Sequence, residues 1–224
     1  MPRIPRFTID NGFYHVLCRG HNKREIFHED SDFLKYLKML REAKITYSVK
    51  IYHFTLMPNH VHLILNLVKG DDLSKAMRFL NQRYAQYYRA KYSGSGYVWQ
   101  GRFKSFLIQS AIYLMRCGRY IELNSVIAGL VTNPEDYRWS SCNVYVRGKK
   151  SNLVDIDPEY EAISKNIAER NKIYSEYLRD GLQEKRSLKR YFRDGAYGDN
   201  EFIEKLKNIG LRQRTWHVGR PKND

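Results

Sequence analysis

Residues 49–67 carry the sequence VKIYHFTLMPNHVHLILNL. Two runs rich in β-branched and aromatic residues, Val49–Met57 and His60–Leu67, flank the dipeptide Pro58-Asn59. Such runs are typical of strands, and a two-residue break of this composition is typical of a tight turn. The stretch therefore predicts two neighbouring strands that pair with each other.

The segments on either side of this pair predict the rest of a sheet. The order strand, helix, strand, strand, helix, strand, helix indicates an α+β fold, a ferredoxin-like or RRM-like sandwich. We expect a four- or five-stranded, mostly antiparallel sheet with helices on one face. Periodicity predicts the flanking elements as a strand over 13–19, a helix from Ser31, a helix from Gly70 to about Lys91, a strand over 102–108 and a helix over 110–124.

Beyond Lys150 the pattern changes to polar and helical. Helices are predicted over residues 158–178, 182–192 and 200–209. Residues 147–150 read Arg-Gly-Lys-Lys, a composition typical of a linker. We therefore expect a main domain over residues 1–150 and a helical C-terminal extension over 151–224.

The charge of the chain indicates a polyanionic partner. The formal net charge is +15, and residues 1–150 hold 24 Lys and Arg against 11 Asp and Glu. The stretch Leu73–Ile121 has nine basic and no acidic residues, interleaved with eleven aromatics. Cations bind phosphates and exposed rings stack on bases, so the pattern favours single-stranded nucleic acid. The alternative is a solvated basic helix face with core aromatics.

The cellular setting follows from what the sequence contains. Three scattered cysteines, Cys18, Cys117 and Cys142, form neither a disulfide framework nor a CxxC pair. No signal peptide is recognisable, and no 18 apolar residues run together. We expect a cytoplasmic, nucleoid-associated protein with no membrane partner.

Four residues suggest a reaction centre. His60 and His62 are two apart on a predicted strand, so both side chains project from the same sheet face. Tyr120 and Asn124 are four apart on a predicted helix and share its face. Taken alone, the histidines could be a half-exposed pair and the tyrosine a packing residue. If the two faces meet, they place a hydroxyl beside two imidazoles and an amide oxygen.

The chain resembles the HUH single-tyrosine transposases, and most closely the REP-associated tyrosine transposases. The similarity covers roughly residues 10–145, with the motifs in family order. The motifs are Tyr14-His15-Val16 with Arg19-Gly20, Met57-Pro58-Asn59-His60-Val61-His62, Val98-Trp99-Gln100-Gly101-Arg102-Phe103, Tyr120-Ile121-Glu122-Leu123-Asn124 with Ala128-Gly129-Leu130-Val131, and Tyr137-Arg138-Trp139-Ser140-Ser141.

This resemblance implies a role for each of the four residues. His60, His62 and Asn124 would bind a divalent metal, Mg²⁺ or Mn²⁺, and Tyr120 would be the nucleophile. The implied reaction nicks and rejoins single-stranded DNA next to a hairpin through a 5′-phosphotyrosine intermediate. The family's usual Asn-Pro after the nucleophile is Asn124-Ser125 here. We therefore expect a differently shaped helix end.

Residues for DNA contact are expected in the family-like motifs and the acid-free stretch. They are Arg19, Asn22, Arg24, Trp99, Gln100, Arg102 and Lys104. Two rival functions stay open: a non-catalytic DNA- or RNA-binding protein of this fold, and a zinc hydrolase using the His-x-His pair. Whether the protein is a monomer or a homodimer, and whether its site is built from one chain or two, also stays open.

Overall fold

The computed structural model describes residues 6–93, 96–182 and 195–211. Within these ranges the elements in chain order are β1 (Phe13–Arg19), α1 (Asp30–Thr46), β2 (Val49–Met57), β3 (His60–Leu67), α2 (Asp72–Tyr92), β4 (Lys104–Ile108), α3 (Ile112–Glu122), α4 (Asn124–Ile127), α5 (Cys142–Val146), α6 (Pro158–Glu161), α7 (Ile167–Gly181), β5 (Ala196–Tyr197) and α8 (Asn200–Asn208). None of the helices in these ranges is long and apolar enough to cross a membrane.

The sheet has five strands in the order β2-β3-β1-β4-β5. The first four pair antiparallel, and β5 joins β4 in parallel. The predicted turn at Pro58-Asn59 is present, with Met57 opposite His60. The α+β prediction and the β2–β3 pairing are confirmed.

Helices α1 and α2 cover one face of this sheet. Every second strand residue, such as Val16 and Leu63, points toward these helices. Tyr36 of α1 and Tyr84 of α2 are fully buried against them. Helix α1 begins with a capping box between Glu29 and Asp32, which satisfies backbone N–H groups at its first turn. The main hydrophobic core of the described chain lies on this face.

Helix α3 covers the opposite face, which we call the α3 face. There Ile64 and Ile108 of the sheet pack against Leu114, Cys117 and Ile121 of the helix. The expectation that the helices share one face is therefore corrected: α1 and α2 lie on one side, and α3 lies on the other. The sequence periods give each element an apolar side, but they do not say which sheet face a given helix covers.

The outer edge of β2 is covered by the segment that follows α4. The Leu56 N–H donates to the Trp139 carbonyl oxygen at 2.9 Å, and the Ser141 N–H donates to the Phe54 carbonyl oxygen at 3.0 Å. Pairing an exposed strand edge in this way protects it from other chains.

The segment beyond residue 150 is helical where it is described, with one short strand. The predicted helix over 158–178 is two helices, α6 and α7, and the one over 200–209 is present as α8. The predicted helix over 182–192 lies outside the described residues except for residue 182. Tyr174 and Leu178 of α7 are buried in the main core. The division into domains at residue 150 stays a prediction.

Helix α3 approaches the sheet closely at Gly118. A Cβ atom added there would lie 2.7 Å from Nε2 of His53 in β2. The His53 ring is fully buried, with both ring nitrogens bonded to carboxylates. The ring therefore has no room to move away from a larger residue.

We predict that Gly118→Ala destabilises the protein although alanine is the better helix former. Overpacking of this kind costs about 1–3 kcal/mol, more than the helix propensity that alanine gains. Urea unfolding measures the change. Arg116→Ala, on the same helix, is the control and should change stability by no more than about 0.5 kcal/mol. A Gly118→Ala protein as stable as the wild type would contradict the close approach.

Candidate active site

The two histidines of β3 lie on the α3 face, as their spacing predicts. His62 is buried with 4% of its surface exposed, and His60 is half-buried at the turn. Their ring centroids are 4.9 Å apart and the ring planes nearly perpendicular. The two imidazoles thus point into one region at the end of the hairpin.

Each of these histidines has its Nδ1 atom engaged by a neighbour. Nδ1 of His60 lies 2.5 Å from Oδ1 of Asn59, which can only accept, so this nitrogen carries the proton. Nδ1 of His62 lies 2.7 Å from Nε2 of His15 in β1. In both rings Nε2 is therefore the atom left for a further ligand.

The site favours neutral imidazoles. Burial, together with the charge of Arg19, lowers the pKa of His60 to about 4. Burial also lowers the pKa of His15 to about 3 and that of His62 well below its ordinary value. Neutral imidazole is the form that binds metal ions.

Tyr120 projects from α3 into the same region. Its ring centroid lies 5.8 Å from that of His62 and 6.2 Å from that of His15, edge-on in both cases. Burial raises the pKa of Tyr120 to about 12, and the nearby Arg19 charge opposes that rise. The structure thus brings Tyr120 together with the His-x-His pair of its own chain.

Asn124 follows Tyr120 by one helical turn and is half-buried. Its Nδ2 donates to the backbone oxygens of Tyr120 at 2.7 Å and Ile121 at 3.3 Å. The side-chain oxygen is the atom that remains for a ligand. The helix predicted over 110–124 ends earlier than expected: α3 stops at Glu122, and α4 begins at Asn124. Ligation by Asn124 stays a prediction.

The donor set is one that a divalent cation could use, and two imidazoles with an amide oxygen suit Mn²⁺ and Zn²⁺ alike by ligand type. Within the described ranges no three His, Cys, Asp or Glu side chains cluster in a way that could hold a metal. Two neutral imidazoles and one amide oxygen would leave several coordination positions open. His60, His62 and Asn124 are the residues that would hold the ion.

A buried network fixes the position of α3. His53 in β2 lies between Glu122, at 2.9 Å from Nδ1, and Asp157, at 3.0 Å from Nε2. Glu122 also accepts hydrogen bonds from Ser141 at 2.7 Å and Tyr174 at 3.0 Å. Glu122 is two residues from Tyr120, so the network holds the helix at the turn that carries the tyrosine.

The network also sets the charge of His53. Burial acts to lower its pKa, but the two carboxylates outweigh burial and raise the pKa from 6.5 to about 9. The folded protein therefore binds a proton more tightly than the unfolded chain. The resulting stabilisation is complete below pH 6.5 and is lost as the pH rises through 9.

We predict that the free energy of unfolding falls by on the order of 3 kcal/mol between pH 6.5 and pH 9.5. Urea unfolding at several pH values measures this slope. His53→Gln should be less stable at pH 6.5 and should lose most of the slope. His28→Gln, which changes a histidine near α1, is the control and should keep it. An unchanged slope in His53→Gln would show that the network does not hold a protonated imidazole.

The residues expected to contact DNA fall into two groups. Arg19 ends β1, Asn22 and Arg24 follow it in a loop, and Gln100 lies in a second loop beside the hairpin turn. The Gln100 N–H donates to the Arg19 oxygen at 2.7 Å, and the Gly20 N–H donates to the Asn59 oxygen at 2.8 Å. These loops lie at the His60 end of the sheet, since Arg19 pairs with His60.

The remaining candidates are placed differently. Trp99 packs against Tyr84, and its indole N–H donates to the Asn81 oxygen at 2.8 Å, so it anchors its loop. Arg102 is exposed. Lys104 pairs with Leu17, which on its other side pairs with His62, so Lys104 lies on the α3 face in the same row of the sheet. Contact of these residues with DNA stays a prediction.

Acidic side chains from elsewhere in the chain lie next to the stretch Leu73–Ile121, which has none of its own. Lys91 forms ion pairs with Glu29 and Asp32, and Arg83 pairs with Glu42. These carboxylates belong to α1 or its N-terminal cap, which pack beside α2. These two cations of α2 are therefore neutralised, and α2 lies on the sheet face away from Tyr120.

Sequence reasoning assigned no role to His15, although it lies in the Tyr14-His15-Val16 motif, and it missed the His53 network. His15 had a visible signal, because it shares a strand face with Arg19 in the alternating pattern of β1. The partners of His53 are 69 and 104 residues away along the chain, so no local pattern reveals them.

The fold is a five-stranded α+β sheet, and its His-x-His pair faces a tyrosine on a helix. This combination is the one expected of the single-tyrosine HUH proteins that the sequence motifs indicate. The profile of the family described as transposase, IS200-like, matches residues 8–124, more than half of the chain. The chain belongs to the IS200-like transposase family. The search of curated proteins gave no match.

One solved structure shares the fold. The chain is similar to a REP-associated tyrosine transposase bound to a REP hairpin, with a TM-score of 0.57 and 22% identity over 70% of this chain and 95% of the other. A putative transposase from Deinococcus radiodurans matches with a TM-score of 0.37 and 15% sequence identity, over 49% of this chain and 88% of the other. The second similarity is too low to bear on the fold.

Proposed function

We propose that this protein nicks and rejoins single-stranded DNA beside hairpins, with Tyr120 as the nucleophile and His60, His62 and Asn124 as ligands of Mg²⁺ or Mn²⁺. The observation that carries the proposal is the placement of the Tyr120 ring 5.8 Å from the ring of His62, on the face where both histidines keep Nε2 for a ligand. Membership of the IS200-like transposase family supports the same reaction class.

A bound divalent ion would supply charge to polarise a phosphate oxygen and neutralise the phosphodiester. Arg19 and Lys104 add positive charge on the same sheet face. Arg19 lies opposite His60, and Lys104 lies across Leu17 from His62. The DNA backbone can therefore be held by two cationic side chains while the scissile phosphate lies next to Tyr120.

Tyr120 enters the reaction as a neutral phenol, since burial raises its pKa to about 12. Its oxygen attacks the phosphorus and forms a new P–O bond, and the bond to the 3′ oxygen breaks. The proton lost by the phenol is balanced by the proton gained at the free 3′-OH. The phosphodiester energy is kept in the 5′-phosphotyrosine, so a 3′-OH can reverse the step and join strands.

The substrate class rests on charge and on similarity. Arg19 and the loops with Arg24 and Gln100 lie beside the site and can contact a strand that leaves it. The structurally similar transposase is bound to a REP hairpin, which supports a hairpin substrate here. We further propose that the protein acts in the cytoplasm, associated with the nucleoid.

We predict that Tyr120→Phe abolishes the covalent protein–DNA adduct while hairpin binding changes little, because only the attacking oxygen is removed. The assay incubates the protein with a labelled single-stranded hairpin oligonucleotide and Mn²⁺ and resolves the adduct under denaturing conditions. Tyr113→Phe is the matched control: Tyr113 lies on the same helix but packs against Tyr197, so its variant should keep the adduct.

Two results would contradict the proposal. An adduct that persists in Tyr120→Phe would assign the nucleophile elsewhere. A wild-type protein that binds the hairpin tightly but forms no adduct would favour the non-catalytic nucleic-acid-binding function.

A further inference from the structure

His15 is a buried histidine that the reaction above does not use. It lies in the middle of β1 with 1% of its surface exposed, one strand away from the metal-binding histidines. Burying an imidazole costs free energy unless its nitrogens find partners. Its placement therefore points to a polar role and not to core filling alone.

The contact between His15 and His62 is specific in geometry. His15 pairs with Ile64 and His62 with Leu17, so the two histidines are diagonal neighbours on the α3 face. Their ring planes are inclined by only 12° and the ring centroids are 5.0 Å apart, with Nε2 of His15 2.7 Å from Nδ1 of His62, so the two rings meet edge to edge in nearly one plane. Phe106 packs at 5.8 Å from the His15 ring and limits its movement.

One proton must lie between the two nitrogens, and its position decides what His62 can do. If His62 carries it on Nδ1, Nε2 of His62 keeps its lone pair and can bind a metal. If His15 carries it on Nε2, it donates to Nδ1 of His62, and a neutral His62 then has its proton on Nε2, where it cannot ligate. The tautomer of this pair is therefore coupled to metal binding.

We propose that His15 is a positioning residue for His62: its Nε2 accepts the Nδ1–H of His62 while its own proton stays on Nδ1, which fixes the His62 ring and leaves Nε2 of His62 for the metal. Asn59 serves His60 in the same way, at 2.5 Å. Outer partners of this kind orient ligating histidines and increase their basicity. The inference rests on the proposed function and adds a residue that governs metal affinity without touching the metal.

Two nearly isosteric substitutions separate the hydrogen bond from packing. Glutamine keeps an acceptor at position 15, whereas methionine has similar length and only a weak acceptor. Mn²⁺ titration of the DNA-free protein, followed by electron paramagnetic resonance, should show that His15→Met weakens binding by about 10- to 100-fold. His15→Gln should keep most of the affinity. Ile64→Val, a packing change on the same strand face as His62, should leave the affinity unchanged.

Nitrogen NMR of labelled histidine gives a readout that needs no metal. The wild-type His62 should carry its proton on Nδ1, and His15→Met should shift part of the population to Nε2. An Nε2–H tautomer in the wild type, or equal Mn²⁺ affinity in His15→Met and the wild type, overturns the inference. So does an equal loss in His15→Gln and His15→Met.

The proposed function fails in a different way. A wild-type protein that binds no Mn²⁺ contradicts the metal site itself and removes the inference with it. A wild type that binds Mn²⁺ while only the His15 variants behave unexpectedly leaves the proposed function standing and rejects the role of His15.

Discussion

The imidazole of His53, clamped between Glu122 and Asp157 in a site closed to solvent, holds three parts of the chain together. His53 belongs to the sheet, Glu122 to the helix that carries Tyr120, and Asp157 to the segment beyond residue 150. Buried ions are costly unless they are paired and hydrogen-bonded. Here the carboxylates are further satisfied by Ser141 and Tyr174 and by the Glu159 N–H. Removing one partner would leave the others charged and uncompensated.

This constraint explains why the tyrosine lies where it does. Helix α3 is short, and Gly118 lets it approach the ring of His53. The helix is also fixed by the Thr55 hydroxyl, which donates to the Ile121 oxygen at 2.8 Å. Tyr120 lies between these contacts, and its ring centroid is 5.8 Å from that of His62 in the same chain. The C-terminal segment, through Asp157 and Tyr174, contributes to the positioning of Tyr120.

The sequence predicts those features that depend on short-range rules. The alternation of a strand places His60 and His62 on one face, and the helical period places Asn124 one turn after Tyr120. The order of elements predicts the α+β class, and the Pro58-Asn59 turn predicts the β2–β3 pair. Contacts between distant parts of the chain are beyond these rules. Local patterns could not reveal that α3 takes the opposite sheet face or that His53 meets Asp157.

The charge of the protein is likewise predicted in part by the sequence and in part only by the fold. A count along the chain predicts a nucleic-acid partner, and the excess over residues 1–150 is a property of the sequence alone. Folding then redistributes it, because carboxylates of α1 and its cap neutralise Lys91 and Arg83 of α2. Arg19 and Lys104 lie with the histidines instead. The Arg19 charge, which comes from a strand, acts on Tyr120, whereas the basic run is richest along α2, on the other side of the sheet.

We propose that one chain supplies both Tyr120 as the nucleophile and His60 and His62 as the metal ligands. Mixing two inactive proteins tests it most directly: Tyr120→Phe, which keeps the histidines, and His60→Ala/His62→Ala, which keeps the tyrosine. The adduct with labelled hairpin DNA and Mn²⁺ is measured for each protein, for the mixture and for the wild type. The structure predicts that the wild type forms the adduct and the mixture does not. Recovery of adduct in the mixture would show that the site is shared between two chains and would contradict a site built from one chain.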